Sequence, residues 1–525
     1  MTLRHPALLV FLGGLICFSC TPARVRLDGP PYTLQLPDGE IPAETALPPV
    51  PRRETTVAAS APDVVSSAPE IDEILDAPGA ADAFWGVSAK SLRTGQRLFA
   101  RNEDKLFVPA SNMKLFTTAV ALIRLGPDFR YTTSLYTDGS VENGVLTGDV
   151  YLRGSGDPTI SQRFQGGPTA VFEEWADRLK QQGIGEIEGD LIGDDTLFDG
   201  HELGPGWAWD DESIAFSARI SAVSFNDNCF DAVLSPGKKA GDPARIAITP
   251  ETSYVKIANS VRTSASGEQT ELDARRSFGS NALILSGCIE LNAPPRHIRI
   301  AVGDPTLYAL IVLKETLARK GIRVVGRAAD IGDTGKAPDY GAMKVLATRR
   351  SPPLNDIIEQ VNKRSQNLYA ELLFRTLGAV YAGRGTTEKS VQVMVESLAA
   401  MGIRGDSLSI YDGSGLSRLN LVAPSQVVRL LDYMSRHPYF DHFYRSLPVA
   451  GVDGTLMKRM KNTEAEGNVR AKTGTLTHMV ALSGYMKGRD GGLLAFSILS
   501  NNCLGTSAEV RSLQDAICQR LLHMP

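Results

Sequence analysis

Apolar residues along this chain follow two rhythms, one alternating and one helical, and the rhythms are grouped by region. After Arg4 a continuous apolar run covers 7–18, too short to make a good membrane span, and no later segment is longer and equally apolar. From 21 to 69 the chain is rich in Pro, Ala, Ser and Thr without apolar period, the composition of a disordered tether. Helical spacing over 70–76 predicts a short helix. Two alternating runs, 84–92 and 96–100, joined by Arg93-Thr-Gly95, predict a β-hairpin. The entry signal Val108-Pro-Ala110 and the apolar run that follows Lys114 predict a buried helix.

Between 138 and 331 the texture changes. Short runs at 148–154, 189–194, 245–249 and 298–302, set between Gly and Asp turns, predict strands, and two helices are expected at 170–182 and 305–320. This stretch reads as a β-rich insertion of two domains. Beyond 346 helical spacing returns over 355–363 and 368–377, with a break at Ser365. Three strands then follow at 469–475, 479–486 and 493–500, and a last helix at 507–522. Two strands from the start and three from the end predict a five-stranded, mostly antiparallel sheet with helices on both faces. The expected architecture is an α/β (α+β) sandwich made of 70–137 with 332–525, interrupted by 138–331.

Three short motifs supply chemistry on this frame: Ser111-Asn-Met-Lys114, Ser365-Gln-Asn367 and Lys472-Thr-Gly474. Ser and Lys three residues apart share a face only on a helix. Other matches to the first motif fail that test. Ser235-Pro-Gly-Lys238 is a turn, and Ser253-Tyr-Val-Lys256 sits in a strand-like stretch where such residues point to opposite faces. Ser224–Asn226 and Ser500–Asn502 likewise match the second motif by spacing alone. Ser111 at a buried helix N-terminus lies near unpaired backbone N–H groups that favour negative charge. Taken singly, Ser111 and Ser365 also suit helix caps. As a set, the motifs provide a nucleophile, a nearby base, a polar relay and a strand-borne cation, which suits acyl transfer at a peptide-like carbonyl.

Charge and cysteine usage narrow the class. The 55 basic and 59 acidic residues give no basic excess, which argues against nucleic acid. Seven scattered histidines and no C-x-x-C spacing give no metal site, and no cofactor is expected. The first 20 residues read as an export signal, which puts Cys229, Cys288, Cys503 and Cys518 in an oxidising setting. Four cysteines allow three pairings; Cys229–Cys288 with Cys503–Cys518 keeps each bridge within one region.

The motif order in an exported chain resembles the penicillin-recognising serine enzymes of the β-lactamase-like fold. The long stretch between Ser111 and Ser365 narrows this to the class C low-molecular-mass penicillin-binding proteins (peptidase family S13), which carry domains inserted there. Segments Tyr411-Asp-Gly-Ser-Gly-Leu-Ser-Arg418, Gly206-Trp-Ala-Trp-Asp210-Asp211 and Gly193-Asp-Asp-Thr-Leu-Phe-Asp199 are also similar to that family. The resemblance implies a D-alanyl-D-alanine carboxypeptidase/endopeptidase that acts on peptidoglycan stem peptides and is acylated by β-lactams. It implies Ser111 as nucleophile, Lys114 as base with its pKa lowered by burial and by Lys472 as a second cation, and Ser365 with Asn367 as relay. Thr473, Gly474 and Thr475 would hold the substrate, whose terminal carboxylate would meet Lys472 and Thr473; the N–H groups of Ser111 and Thr475 would form the oxyanion hole, and Asp210 or Asp211 would meet a diamino acid side chain. Phe18-Ser-Cys20 resembles a lipoprotein signal, which implies a cell-envelope or periplasmic location and a membrane tether through Cys20. A dedicated β-lactamase and a non-catalytic wall-binding protein are the rival readings.

Overall fold

The computed structural model describes residues 68–524 apart from Phe278. The expected signal, Cys20 and nearly all of the tether lie outside them. Among the described residues no helix is long and apolar enough to cross a membrane.

The hairpin forms as β1 (Phe84–Ser91) and β2 (Arg97–Arg101). It joins β3 (Arg470–Leu476), β4 (Met479–Lys487) and β5 (Leu493–Asn501) in one sheet of order β3-β4-β5-β1-β2. Every pairing is antiparallel, and β1 runs beside β5 from Phe84 opposite Asn501 to Ser91 opposite Leu494. The two ends of the described chain are therefore stitched into one sheet, and β3 is left at an edge.

Both faces of this sheet are covered, which explains why β4 and β5 read as nearly unbroken apolar runs. Val480, Leu482, Phe496 and Ile498 pack with α1 (Pro69–Asp76) and the last helix, Ser507–Leu522. The residues between them, Ala481, Ala495 and Leu499, turn to the opposite face. There the helix Pro424–Ser435 lies against the sheet, in one core with α2 (Met113–Leu125), α3 (Leu354–Lys363) and α4 (Asn367–Ala382). Helix α2 is central, with every side chain from Met113 to Leu122 buried. Leu115, Phe116, Val120 and Leu122 anchor it, and burial of each such side chain is worth about 1.5–3 kcal/mol.

The insertion has its own core around Phe172, Trp175, Phe225, Phe230 and Tyr308. Its helices run Ala170–Gln181 and Pro305–Arg319, the second capped by Asp304, whose Oδ1 accepts from the Leu307 N–H at 2.8 Å. One of its sheets recruits Thr132–Thr137 and Lys344–Arg350, paired antiparallel with Thr132 opposite Arg350. The expected limits at 138 and 331 fall inside that unit, because a strand belongs with the partners that satisfy its backbone. The seam is at Tyr131 and Ser351: the Tyr131 N–H donates to Ser351 Oγ at 2.9 Å, and the Ser351 N–H to Tyr131 O at 3.0 Å.

The disulfides expected at Cys229–Cys288 and Cys503–Cys518 are not formed; all four are free thiols. Cys229 is buried at the start of Cys229–Ser235, whereas Cys288 lies in another sheet with its Sγ 3.5 Å from Gln269 O. Cys503 and Cys518 share the core beneath the last helix as buried apolar groups, a common role for free cysteine.

Candidate active site

Ser111 enters the site on a single 3-10 turn, Ala110–Asn112, that leads into α2. Ala110 holds a positive φ of 46°, rare for a residue with a Cβ and a mark of local strain. Gly415 explains how tightly this turn is pressed. Its φ is +81°, and a Cβ there would fall 1.8 Å from Ala110 O. Across the turn lies β3, where a Cβ on Gly474 would sit 3.0 Å from Ser111 N.

One helical turn on from Ser111, the Lys114 ammonium is fully buried and meets three acceptors. They are Ser111 Oγ at 2.8 Å, Asn367 Oδ1 at 2.6 Å and Ser414 O at 2.6 Å. A charged lysine has three N–H donors, so this set satisfies it completely. A neutral lysine keeps two donors for Asn367 and Ser414 and turns its lone pair to the Ser111 hydroxyl. The arrangement suits either state, as a base requires. Burial lowers the Lys114 pKa from 10.5 to about 7, against the charges of Asp412 and Glu371, which pull it upward.

Lys472 is equally buried and donates to Ser365 Oγ at 2.8 Å and Thr473 O at 2.7 Å. Its pKa is driven well down by burial first and then by the charge of Lys114. Burial is the largest cause at both lysines; the charges of Asp412 and Glu371 oppose it at Lys114, and the repulsion between the two ammonium groups adds to it at Lys472. Asn112 Nδ2 ties the strand to the nucleophile's turn by donating to Lys472 O at 2.9 Å.

Ser365 also has a positive φ, 58°, at the break between α3 and α4. That kink lets Ser365 face Lys472 while Asn367, at the start of α4, faces Lys114. The five residues thus form two hydrogen-bonded sets, Ser111–Lys114–Asn367 and Ser365–Lys472, joined by the short segment 365–367. Thr473 Oγ1 bonds Thr455 Oγ1 at 2.8 Å, and Thr475 is exposed with its Oγ1 3.2 Å from Arg511 Nη2. The Ala471 N–H donates to Pro448 O outside the sheet, so the period of two turns the Thr475 N–H to the same open edge, beside Ser111.

Sequence reasoning missed the groups behind these. Glu371, one turn beyond Asn367 on α4 and fully buried, accepts from the Ser414 N–H at 2.7 Å and the Gly413 N–H at 3.2 Å. Burial and Asp412 raise its pKa to about 7. Asp412 accepts from the N–H groups of Gly415 and Ser417 and from Asn420 and Trp207 Nε1, at 2.6–2.9 Å. Two carboxylates therefore clamp the loop whose carbonyl faces Lys114. The insertion reaches the site too, since Asn367 Nδ2 donates to Phe216 O at 2.7 Å. Asp210 and Asp211 lie on the insertion's 3-10 turn Trp209–Asp211. Asp210 is exposed, while Asp211 is partly buried, and burial and the neighbouring Asp210 charge raise its pKa against the pull of Arg418.

Comparison with known proteins gives consistent matches over most of the described chain. The D-Ala-D-Ala carboxypeptidase 3 (S13) family matches residues 67–523. A D-alanyl-D-alanine carboxypeptidase of Actinomadura sp. (strain R39) is 35% identical over 463 residues, 86% of this chain and 84% of that protein. The D-alanyl-D-alanine carboxypeptidase DacB of Haemophilus influenzae is 31% identical over 416 residues, 78% of this chain and 84% of that protein. The crystal structure of penicillin binding protein 4 (dacB) from Haemophilus influenzae superposes with a TM-score of 0.75 at 28% identity, over 86% of this chain and 99% of that one. The same protein in complex with a β-lactam matches at TM-score 0.69 and 26% identity, over 85% and 97%.

Proposed function

The chain belongs to the D-Ala-D-Ala carboxypeptidase 3 (S13) family, and within it we propose a serine enzyme that trims peptidoglycan stem peptides through an acyl-enzyme on Ser111. The observation that carries this reading is the buried Lys114 ammonium, 2.8 Å from Ser111 Oγ and held by Asn367 and Ser414 O on its other sides.

A serine hydroxyl attacks only when its proton is taken. Neutral Lys114 removes that proton as Ser111 Oγ bonds to the carbonyl carbon of the penultimate D-alanine. The oxygen, now negative, lies toward the N–H groups of Ser111 and Thr475; losing one such donor costs about 10²–10³ in rate. Expulsion of the terminal D-alanine needs a proton on its nitrogen. Ser365 Oγ is the relay, replenished by Lys472 at 2.8 Å. The substrate's terminal carboxylate, held by Thr473 and Thr475, favours the charged form of Lys472 and so arms that relay as substrate binds. Lys114 first sheds the proton it took from Ser111, which replaces the one Lys472 gave up; water then attacks the ester with neutral Lys114 as base, and the proton passes to Ser111 Oγ as that oxygen leaves. Gly474 lets the peptide lie close to β3.

Asp210 or Asp211, adjacent on the Trp209–Asp211 turn, would meet the amino end of a diamino acid side chain. The same cleft would cleave cross-links, since a D,D-cross-link presents the same bond. The β-lactam complex of the Haemophilus influenzae protein supports acylation of Ser111 by such compounds. Upstream, acylation of Cys20 would tether the enzyme at the cell envelope through its 21–69 segment; mass spectrometry finding an unmodified N-terminus beyond Cys20 excludes it.

The test is digestion of muropeptide monomers and dimers by the wild type and Ser111→Ala, with products followed by mass. Release of D-alanine that depends on Ser111 is expected, with penicillin turnover far slower. Fast penicillin hydrolysis with no D-alanine release would favour a β-lactamase, and no covalent labelling by fluorescent penicillin would favour a mere binder.

A further inference from the structure

Each residue of Ser365-Gln-Asn367 is gripped by a different part of the molecule. Ser365 is held by β3 through Lys472, and Asn367 by Lys114 and the insertion's Phe216 carbonyl. Gln366, between them, faces the insertion: its Nε2 is 3.4 Å from Asp227 Oδ2.

Asp227 is the centre of a buried junction between the insertion and α4. Its carboxylate, 2% exposed, accepts from Tyr369 Oη at 2.6 Å, Ser161 Oγ at 2.7 Å, Arg163 Nε at 2.6 Å and Arg299 Nη2 at 3.0 Å. Tyr369 is fully buried on the first turn of α4, two residues past Asn367. The carboxylate reaches these partners from an unusual backbone, because Asn226, Asp227 and Asn228 all hold positive φ, at 47°, 59° and 52°. Asn and Asp tolerate that region better than other residues with a Cβ. Arg299 braces the turn by donating also to Asn226 O at 3.0 Å and to Asp231. Asn226 closes the Ser224–Asn226 match that spacing alone could not interpret.

We propose that Asp227 is a positioning residue for acylation: through Tyr369 and Gln366 it locks the start of α4, and hence Asn367 and Ser365, in register with Lys114 and Lys472. The insertion is then part of the catalytic apparatus, beyond any part in binding the substrate. Ser365 needs such a lock, since its own positive φ gives the segment no preference for the working conformation. This inference rests on the site assignment above.

Acylation by a fluorescent penicillin separates the two. Wild-type rates are resolved into an encounter constant and a chemical step for the full chain. Tyr369→Phe removes only the hydroxyl that meets Asp227. Tyr254→Phe is the comparator: it too is buried, and its hydroxyl bonds the backbone of Asp304 within the insertion, donating to O and accepting from N–H at 2.9 Å each. Tyr369→Phe is expected to slow the chemical step about tenfold or more with the encounter constant unchanged, as small misplacements of reacting groups do. Tyr254→Phe should stay within about twofold of wild type in that step. Equal rates for wild type and Tyr369→Phe, or equal losses in both variants, would overturn the proposal. Should Tyr369→Phe fail to fold, Gln366→Glu, which sets a second carboxylate against Asp227, decides: a slowed chemical step supports the lock and an unchanged one refutes it. Failure of the wild type to be labelled at Ser111 would instead remove the site assignment itself.

Discussion

The pH dependence of acylation follows from where Lys114 sits. The perturbation is pH itself, followed by removal of one buried acid. With a pKa of about 7 in place of 10.5, half of Lys114 is neutral at pH 7, against about one part in 3,000 for an unshifted lysine. The gain in competent base is about three orders of magnitude. The sign is set by chemistry, because the neutral form takes the Ser111 proton and acylation therefore rises with pH. Near pH 5 only about 1% of Lys114 is neutral, so the rate should climb about fiftyfold between pH 5 and 7 and only about twofold more by pH 9. Glu371 ionises in the same range, so the observed midpoint belongs to the coupled pair. Its charge favours protonated Lys114; Glu371→Gln should move the rising limb to lower pH while reducing the plateau, since the amide can accept from only one of the two N–H groups at Gly413 and Ser414. Stopped-flow or gel-based labelling with a fluorescent penicillin measures both effects. A rate that changes less than about threefold from pH 5 to 7, or a limb that shifts to higher pH in Glu371→Gln, would refute Lys114 as the base whose proton state limits acylation.

Three further outcomes are expected. Lys114→Ala should lose acylation by at least about 10³ with an unchanged circular dichroism spectrum, and a penicilloyl adduct formed at near wild-type rate would contradict it. Gly415→Ala should destabilise the protein by more than about 2 kcal/mol in urea and abolish labelling, because its Cβ meets Ala110 O at 1.8 Å and φ is +81°. Alkylation and peptide mass analysis without reductant should find Cys229, Cys288, Cys503 and Cys518 as thiols, with the three buried ones modified only after unfolding; bridged peptides would restore the pairing.

The sheet and the helix of Ser111 were legible because long apolar runs and turn residues leave strong periodic signals. The convergence of Lys114, Ser365, Asn367 and Lys472 was legible only as a motif order, since nothing in spacing alone brings residues so distant in sequence together. What escaped notice has physical reasons. The third acceptor of Lys114 is the carbonyl of Ser414, and a backbone oxygen has no residue signature. Glu371 did leave one: it is four residues beyond Asn367, hence on the same side of α4. Thr132–Thr137 alternates without a glycine to mark the passage into the insertion, so the seam was set too late there and too early on the return. Cysteine number said nothing about separation, which alone decides whether a bridge can close.

Tyr131 and Ser351 exchange backbone and hydroxyl hydrogen bonds where the chain leaves the sandwich and comes back. Departure and return are thus adjacent, and the ends left by removing 132–350 already lie side by side. A splice from 131 to 351 is sterically undemanding for the same reason. Such a minimal enzyme would keep its serine and both lysines yet forfeit the Phe216 and Asp227 contacts, which makes it a direct gauge of how far the insertion is indispensable.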